Sequence, residues 1–303
     1  MGYQFKLQES LASGVRRIAG EQLSQAIQVL QDPEQNRHYA IHEVRKRFKK
    51  LRGLVRLVRS GLGEEYSAIN VWYRDVGRRL SRIRDAESLL ESLQALQERF
   101  PDSAYTELFA EFEKRFQERK QKVVEEWTDL DQELEQLSAE LQQAKQRVEN
   151  WKIKGAATKI LKADLRRTYE RGAVALAQLH QSPNDELFHE CRKRSKYHLY
   201  HIRLLNNVWP AILLAREAEL DELNDYLGDD HDLAVMTQVI TGKPEAFGTS
   251  ADVEQLLTLI RQQRNELQTA GLKLADRIFT EKSKAFAHRI KNYWKLWKKD
   301  RTS

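Results

Sequence analysis

Cysteine is nearly absent from this sequence, and its scarcity excludes two kinds of architecture. Cys191 is the only cysteine among 303 residues, so the chain can form neither an internal disulfide nor a cysteine-rich metal site. A lone cysteine of this kind is expected to be buried as a small apolar residue. Proline and glycine are also scarce, with 5 and 13 residues, which is typical of a protein made of long helices.

Long apolar runs are absent as well. No stretch approaches the roughly 20 residues that a membrane-spanning helix needs. The first ten residues, MGYQFKLQES, lack the charged and apolar pattern of a secretion signal. We therefore expect a soluble, cytoplasmic protein without a membrane span. The sequence also lacks a glycine-rich loop followed by Lys-Ser or Lys-Thr, which disfavours a nucleoside triphosphatase of that kind.

Positive charge is concentrated in one place. The chain has 51 Lys and Arg against 45 Asp and Glu, a net charge of +6, and a pI near 9.2. The segment from Arg45 to Arg59 holds eight Lys and Arg and no acidic residue. Clustered cations favour a polyanionic partner such as a nucleic acid, an anionic membrane or a phosphate polymer.

Helical periodicity runs almost throughout, and no alternating strand pattern appears. The fold class is therefore all-α. We expect one domain over 1–303, in which the halves 1–152 and 153–303 are antiparallel bundles of about four main helices each. Helices are predicted near 8–31, 35–60, 64–83, 86–99, 102–150, 156–181, 184–207, 209–227, 230–241, 250–270 and 271–300.

The stretch 102–150 has no internal glycine or proline after Pro101. Apolar residues between Leu130 and Trp151 follow a heptad-like 4-3 spacing. One interpretation is two long antiparallel helices packed in a bundle, with a break that the pattern does not reveal. The alternative is an intermolecular coiled coil.

The sequence repeats itself at an offset of 147 residues. HEVRKRFKKLRGLVRLVR begins at His42, and HECRKRSKYHLYHIRLL begins at His189. A second pair of similar segments, LSRIRDAESLLESL and LGDDHDLAVMTQVI, begins at Leu80 and Leu227 with the same offset. Two segments that share one register indicate an internal duplication, and the two halves are expected to be related by a pseudo-twofold axis.

Each repeat carries a stripe of cations on one helix face. At 3.6 residues per turn the first stripe lies within a sector of about 100° and is separate from the apolar face. Such a stripe is either a solvated face or an anion-binding site. Because stacked like charges cost stability, we interpret both as anion-binding, and the two would meet in one positive central cavity if the halves face each other. The stripes consist of His42, Arg45, Lys49, Arg52, Arg56 and Arg59, and of His189, Arg192, Lys196 and Arg203.

Three further rows of cations have helical spacing, and each is equally compatible with surface decoration or with a role in binding. These rows are Arg74, Arg78 and Arg82; Lys159, Lys162 and Arg166; and Lys284, His288, Lys291 and Lys295.

The segment Gly228–Asp232 reads GDDHD and suggests a metal site, because His-Asp pairs hold catalytic ions in metal-dependent phosphohydrolases. Such an enzyme would use His189, His231 and Asp232. In the other repeat, however, only Asp85 of this segment is kept. We therefore interpret Asp85 and Asp232 as supporting carboxylates that orient the arginines of the stripes, and we expect neither a metal nor a catalytic residue.

Taken together, His42-x-x-Arg45-x-x-x-Lys49-Lys50-Leu51-Arg52, its second copy His189-x-x-Arg192-Lys193-x-x-Lys196, and the Leu-Gly-x-x-x-Asp segment ending at Asp232 resemble the conserved histidine α-helical domain (CHAD) family. The resemblance covers nearly the whole chain. It implies a non-catalytic module, often found at polyphosphate granules, that binds inorganic polyphosphate in a basic cavity without a cofactor. The implied binding residues are His42, Arg45, Lys49, Lys50, Arg52, His189, Arg192, Lys193 and Lys196, to which the stripes add Arg56 and Arg203.

Two positions depart from the family pattern. Leu199 stands where an arginine is usual, and Lys49 replaces another arginine. A lysine offers phosphate a point charge but not a two-pronged contact. Because Leu199 removes a cation from the second copy, the second half is expected to bind less strongly than the first. A nucleic-acid-binding protein remains an alternative, although the stripes lack the interleaved aromatic residues that stack on single-stranded bases.

Overall fold

The computed structural model describes residues 2–300, except for the side chains of 82–84. Within this part the chain forms twelve α-helices, three short 3₁₀ turns and no strand, which confirms the all-α class. The helices are α1 (Leu11–Gln31), α2 (Arg37–Leu57), α3 (Arg59–Leu62), α4 (Glu65–Arg79), α5 (Ser81–Arg99), α6 (Thr106–Glu125), α7 (Leu130–Glu149), α8 (Ala157–Gln181), α9 (Asp185–Leu205), α10 (Pro210–Gly242), α11 (Ser250–Ile278) and α12 (Ser283–Lys299).

Two hydrophobic cores hold these helices together. The larger core is built mainly by α1, α2, α4, α7, α8, α9, α12 and the first half of α10. The smaller core lies between α5, α6, the second half of α10 and most of α11. Each core contains residues from both 1–152 and 153–303, so the interior does not divide where the repeats meet.

The stretch 102–150 contains the hidden break, which falls at 126–129 between α6 and α7. Its cause is packing, because Phe112 and Phe116 belong to the smaller core whereas Leu137 and Leu141 belong to the larger one. The apolar seam of α7 packs against α1 of the same chain. The coiled-coil alternative is therefore wrong.

Other predicted boundaries also differ from the structure, two of them in the second half. Helix α10 continues through Gly228, where a break was predicted. A glycine inside a helix costs only about 1 kcal/mol, and α10 buries leucines on both sides of it, in the two cores. The last break lies at 279–282 rather than at 270–271, because Gly271 is buried within α11 against α10.

Helices α2 and α9, which carry the two repeated stripes, cross each other in the larger core. Gly53 permits the crossing, since a Cβ atom at this position would lie 2.7 Å from the Cβ atom of Tyr200. The buried His201 ring spans the same crossing, with Nε2 3.1 Å from the carbonyl oxygen of Gly53. The repeated helices are therefore in direct contact at their centres.

Within the part of the chain that the structure describes, no helix has the length and apolar character needed to cross a membrane. Cys191 is buried, and its burial raises the pKa of the thiol to about 12. This position agrees with the small apolar role expected from the sequence.

Candidate functional site

A cleft with a volume of about 530 Å³ lies beside the crossing of α2 and α9. Its walls are completed by α4, the start of α5 and Arg171 of α8. Eleven Lys and Arg residues line it, and among the described residues no Asp or Glu does. An unbalanced set of cations in one concave surface produces a strong positive potential, because the walls focus the field.

Eight of the eleven predicted binding residues line this cleft. They come from both repeats and are Arg45, Lys49, Arg52, Arg56, His189, Arg192, Lys193 and Lys196. The structure thus brings side chains together that are separated by about 147 residues in the sequence.

The other three predicted residues lie elsewhere. His42 lines a separate pocket with His38, beside glutamates of α5. Lys50 lies about 100° around α2 from Lys49, and its ammonium group is 5.6 Å from the centre of the Tyr3 ring. Arg203, beyond the helix crossing, donates to the carboxylates of Glu217 and Asp221 on α10.

Crowding of like charges is strongest around Lys49. Its side chain still reaches solvent, but the surrounding protein atoms and the cations of Arg192 and Arg45 lower its pKa to about 8. Burial and the charge of Arg192 also lower the pKa of Lys196. Both shifts mean that the site disfavours its own positive charge. An anion placed between these groups would relieve that cost.

Several arginines of the cleft are held by fixed contacts. Arg45 donates from Nη1 to the carbonyl oxygen of Gly77 at 2.7 Å, and its Nη2 atom lies 3.9 Å from Asp85. The Arg56 guanidinium lies 4.1 Å from the centre of the Tyr197 ring. These contacts restrict the side-chain rotamers, so less conformational entropy is lost when an anion binds.

The two predicted supporting carboxylates lie next to stripe cations. Asp85 contacts Arg45, as described above, and Asp232 is close enough to Lys49 for its charge to oppose the lowering of the lysine pKa. Their supporting role stays a prediction.

The residues of the phosphohydrolase alternative are only partly assembled. His189 and His231 lie side by side, with their Nδ1 atoms 3.3 Å apart. Burial and the nearby Arg192 lower the pKa of His231 to about 4. No group of three or more His, Cys, Asp or Glu side chains with an arrangement suited to a metal ion is found among the described residues.

Several lining residues were not among the eleven predicted binding residues. Arg74 and Arg78 had a signal, since they share a helix face, and both line the cleft; the side chain of Arg82, the third of that row, lies outside the described residues. Arg171 had none, because only the folded structure places α8 beside α9. Arg194 lies about 160° around α9 from Arg192, outside the predicted stripe. The aromatic lining residues Phe48, Tyr73, Tyr197 and Tyr200 were also missed.

Comparison with known proteins identifies the family of this chain. A search of curated proteins finds none that matches the chain. The family model described as CHAD domain matches residues 18–241, well over half of the chain, and this region includes every residue that lines the cleft. The chain therefore belongs to the CHAD domain family.

Proposed function

We propose that this protein binds inorganic polyphosphate in the cleft between α2 and α9 and does not hydrolyse it. The observation that carries the proposal is the lining itself, with eleven Lys and Arg side chains and no Asp or Glu among the described residues. The CHAD family membership supports this ligand class.

The arrangement suits a polymer better than a single phosphate group. The row from Arg45 to Arg56 on α2 extends over roughly 16 Å, at about 1.5 Å per residue. Arginines offer two-pronged contacts to phosphate oxygens, and lysines add point charges. Many modest contacts along a row act together, and the release of counterions makes affinity fall steeply with salt, by analogy with DNA.

A nucleic acid is a weaker candidate for this cleft. Proteins that hold single strands use exposed aromatic faces on which bases stack. The aromatic lining residues Tyr73, Tyr197 and Tyr200 are buried, and the Arg56 guanidinium already lies over the Tyr197 ring. The cleft thus offers charge without an accessible stacking surface.

The main experiment is titration calorimetry with long-chain polyphosphate and with pyrophosphate at several salt concentrations. We expect the polymer to bind more tightly and with a steeper salt dependence. The variant Arg45→Glu with Arg192→Glu should lose polymer binding. A matched charge reversal on the exposed face of α6, Lys114→Glu with Arg119→Glu, should keep it.

Two outcomes would count against the proposal. One is equal affinity for pyrophosphate and the polymer; the other is full affinity in the Arg45 and Arg192 variant. Arg45 also donates to Gly77, so the first variant loses a hydrogen bond as well as a charge. A second variant, Lys49→Gln with Lys196→Gln, removes two charges but no hydrogen bond found among the described residues. Circular dichroism checks that each variant is folded.

Competition and turnover assays address the alternatives. Duplex or single-stranded DNA should fail to displace polyphosphate at moderate salt. Phosphate release that requires a divalent metal and disappears in folded Asp232→Asn would establish the phosphohydrolase alternative and remove the claim of binding alone.

We also propose that the protein acts in the cytoplasm, at polyphosphate granules. A fluorescent fusion should then co-localise with stained granules, and the Arg45 and Arg192 variant should not. A diffuse signal in cells that contain granules would contradict this localisation.

A further inference from the structure

Exposed apolar side chains gather at one corner of the molecule, away from the cleft. Trp209, Ile212 and Leu214, at the start of α10, are 45%, 40% and 51% exposed, and Leu296 of α12 is 59% exposed. Scattered exposed apolar residues are ordinary, but a contiguous group of them marks an interaction site. None of these residues lines the cleft.

The first two turns of α10 present mainly small apolar side chains to solvent. At 100° per residue the outward face carries Ala211, Ala215 and Ala218, and all three are exposed. Arg216 and Glu217 point inward: Arg216 donates to the carbonyl oxygen of Ile278, and Glu217 accepts from Arg203. Glu219, one turn beyond Ala215, is exposed at the end of this face. The outward face carries no charged residue before Glu219, which is unusual for a surface that meets only water.

Helix α12 continues this surface. The Trp209 and Tyr293 rings are in edge contact, with centroids 4.6 Å apart, and Leu296 lies one helical turn beyond Tyr293. We call Trp209, Ile212, Leu214, Tyr293 and Leu296 the apolar corner.

Cations flank the apolar corner. The row Lys284, Lys291 and Lys295 lies about 120° around α12 from Leu296. Because lysine side chains are long, their ammonium groups can reach a flat surface that contacts Leu296. The nearest exposed acidic residues in sequence are Glu219 and Asp300. The surface therefore combines tryptophan, tyrosine and aliphatic side chains with a lysine row at its edge.

We infer that the apolar corner docks on an anionic lipid surface. Tryptophan and tyrosine favour the interface between lipid headgroups and acyl chains, and juxtaposed lysines are attracted to anionic headgroups. A second copy of this chain fits less well, since a symmetric contact would bring the two lysine rows together. This inference is independent of the proposed function.

The test is flotation of the full chain with vesicles of phosphatidylcholine alone and of phosphatidylcholine mixed with phosphatidylglycerol. We expect binding to the mixed vesicles at low salt and little to the neutral ones. Leu214→Ser with Leu296→Ser, and separately Lys291→Glu with Lys295→Glu, should each weaken vesicle binding by at least about tenfold. Polyphosphate affinity should stay unchanged in both variants.

The matched controls alter the same residue types elsewhere. Val174→Ser removes another exposed apolar side chain, on α8, and Lys114→Glu with Arg119→Glu reverses charges on α6; both should bind vesicles like the unaltered chain. Absence of binding to anionic vesicles, or full binding by either corner variant, would overturn the inference. So would a dimer in analytical ultracentrifugation that the corner substitutions abolish, since the occupant would then be a second copy.

Discussion

His201 of α9 is bound to Gly53 of α2 across the centre of the molecule. Burial lowers the pKa of His201 to about 3, so the ring is neutral near pH 7 and donates from Nε2 to the Gly53 carbonyl oxygen at 3.1 Å. Each partner belongs to one of the repeated segments. The contact therefore fixes the helices that carry the two stripes relative to each other.

Gly53→Ala tests this close approach. The new Cβ atom would lie 2.7 Å from the Tyr200 Cβ atom, and neither atom can rotate away, so the helices must separate. We expect a loss of about 1–3 kcal/mol in the free energy of unfolding from the overpacking, together with weaker polyphosphate binding. Urea denaturation and calorimetry measure the two effects.

Gly20→Ala on α1 is the control for that substitution, because a Cβ atom there meets nothing within 4 Å. It should stabilise the protein by about 0.5–1 kcal/mol through helix propensity alone. Equal responses of the two glycines would contradict the role of Gly53.

His201→Gln should change how stability depends on pH. The pKa of His201 lies near 3 in the folded protein, below the unfolded value of 6.5. The unfolded chain therefore takes up a proton between these values, and stability falls by up to about 1.4 kcal/mol per pH unit as the pH drops from 6.5 towards 3. Glutamine can still donate to Gly53 but has no such proton uptake. The free energy of unfolding of His201→Gln, measured by urea denaturation from pH 7 to 4, should therefore fall less steeply than that of the unaltered protein.

The exposed His288→Gln on α12 serves as the comparison and should keep the slope of the unaltered protein. An unchanged slope in His201→Gln would mean that another group dominates the loss of stability in acid.

Polyphosphate affinity should fall as the pH rises above about 8. The pKa of Lys49 is lowered to about 8, so the empty cleft loses this charge above that pH, whereas a bound polyanion favours the charged form. Binding must then take up a proton, and affinity declines as the pH increases. Lys49→Arg keeps its charge and should flatten the decline, measured by calorimetry from pH 7 to 10.

Lys50→Arg is a discriminating control. Burial and neighbouring cations also lower the pKa of Lys50 to about 8, but this residue lies outside the cleft lining. Its substitution should leave the decline with pH unchanged. If Lys50→Arg rather than Lys49→Arg flattens the curve, the polymer follows the other side of α2.

The Asp230–Arg264 pair should behave as a buried ion pair. Asp230 is 1% exposed and accepts from Arg264 Nε and Gln268 Nε2, both at 2.8 Å. Arg264→Leu leaves a buried carboxylate with one fewer donor and should cost about 3–5 kcal/mol. Adding Asp230→Asn should recover part of the loss, which a double-mutant cycle by urea denaturation would measure.

The exposed pair Arg261–Glu254, 2.6 Å apart, provides the contrast. Arg261→Leu should cost less than about 1 kcal/mol, because solvent screens this pair. A double variant of Asp230 and Arg264 that is less stable than Arg264→Leu alone would contradict the buried-pair interpretation.

Helical periodicity was sufficient to predict which side chains share a face. Arg45, Lys49, Arg52 and Arg56 lie in one cleft because α2 is regular over this segment. Periodicity could not predict where another helix crosses. Arg203 is in the same sector of α9 as Lys196, yet it lies beyond the Tyr200 crossing, where carboxylates of α10 bind it.

Breaks and continuations of helices depended on the two cores rather than on local residues. No glycine or proline marks the turn at 126–129, and Gly228 does not interrupt α10. In both places the position of buried leucines and phenylalanines decided the outcome. A single sequence does not show that two cores exist, so these features could not be predicted from it.

The sharing of both cores between the halves has a consequence for how the chain folds. Helix α10, about 50 Å long at 1.5 Å per residue, contributes to both cores from the second half, while α2 and α5 reach them from the first. Neither repeat can bury all of its apolar surface alone, so the fragments 1–152 and 153–303 should each be less stable than the whole chain and should associate when mixed. The two repeats are separate in sequence, yet each completes its cores only against the other.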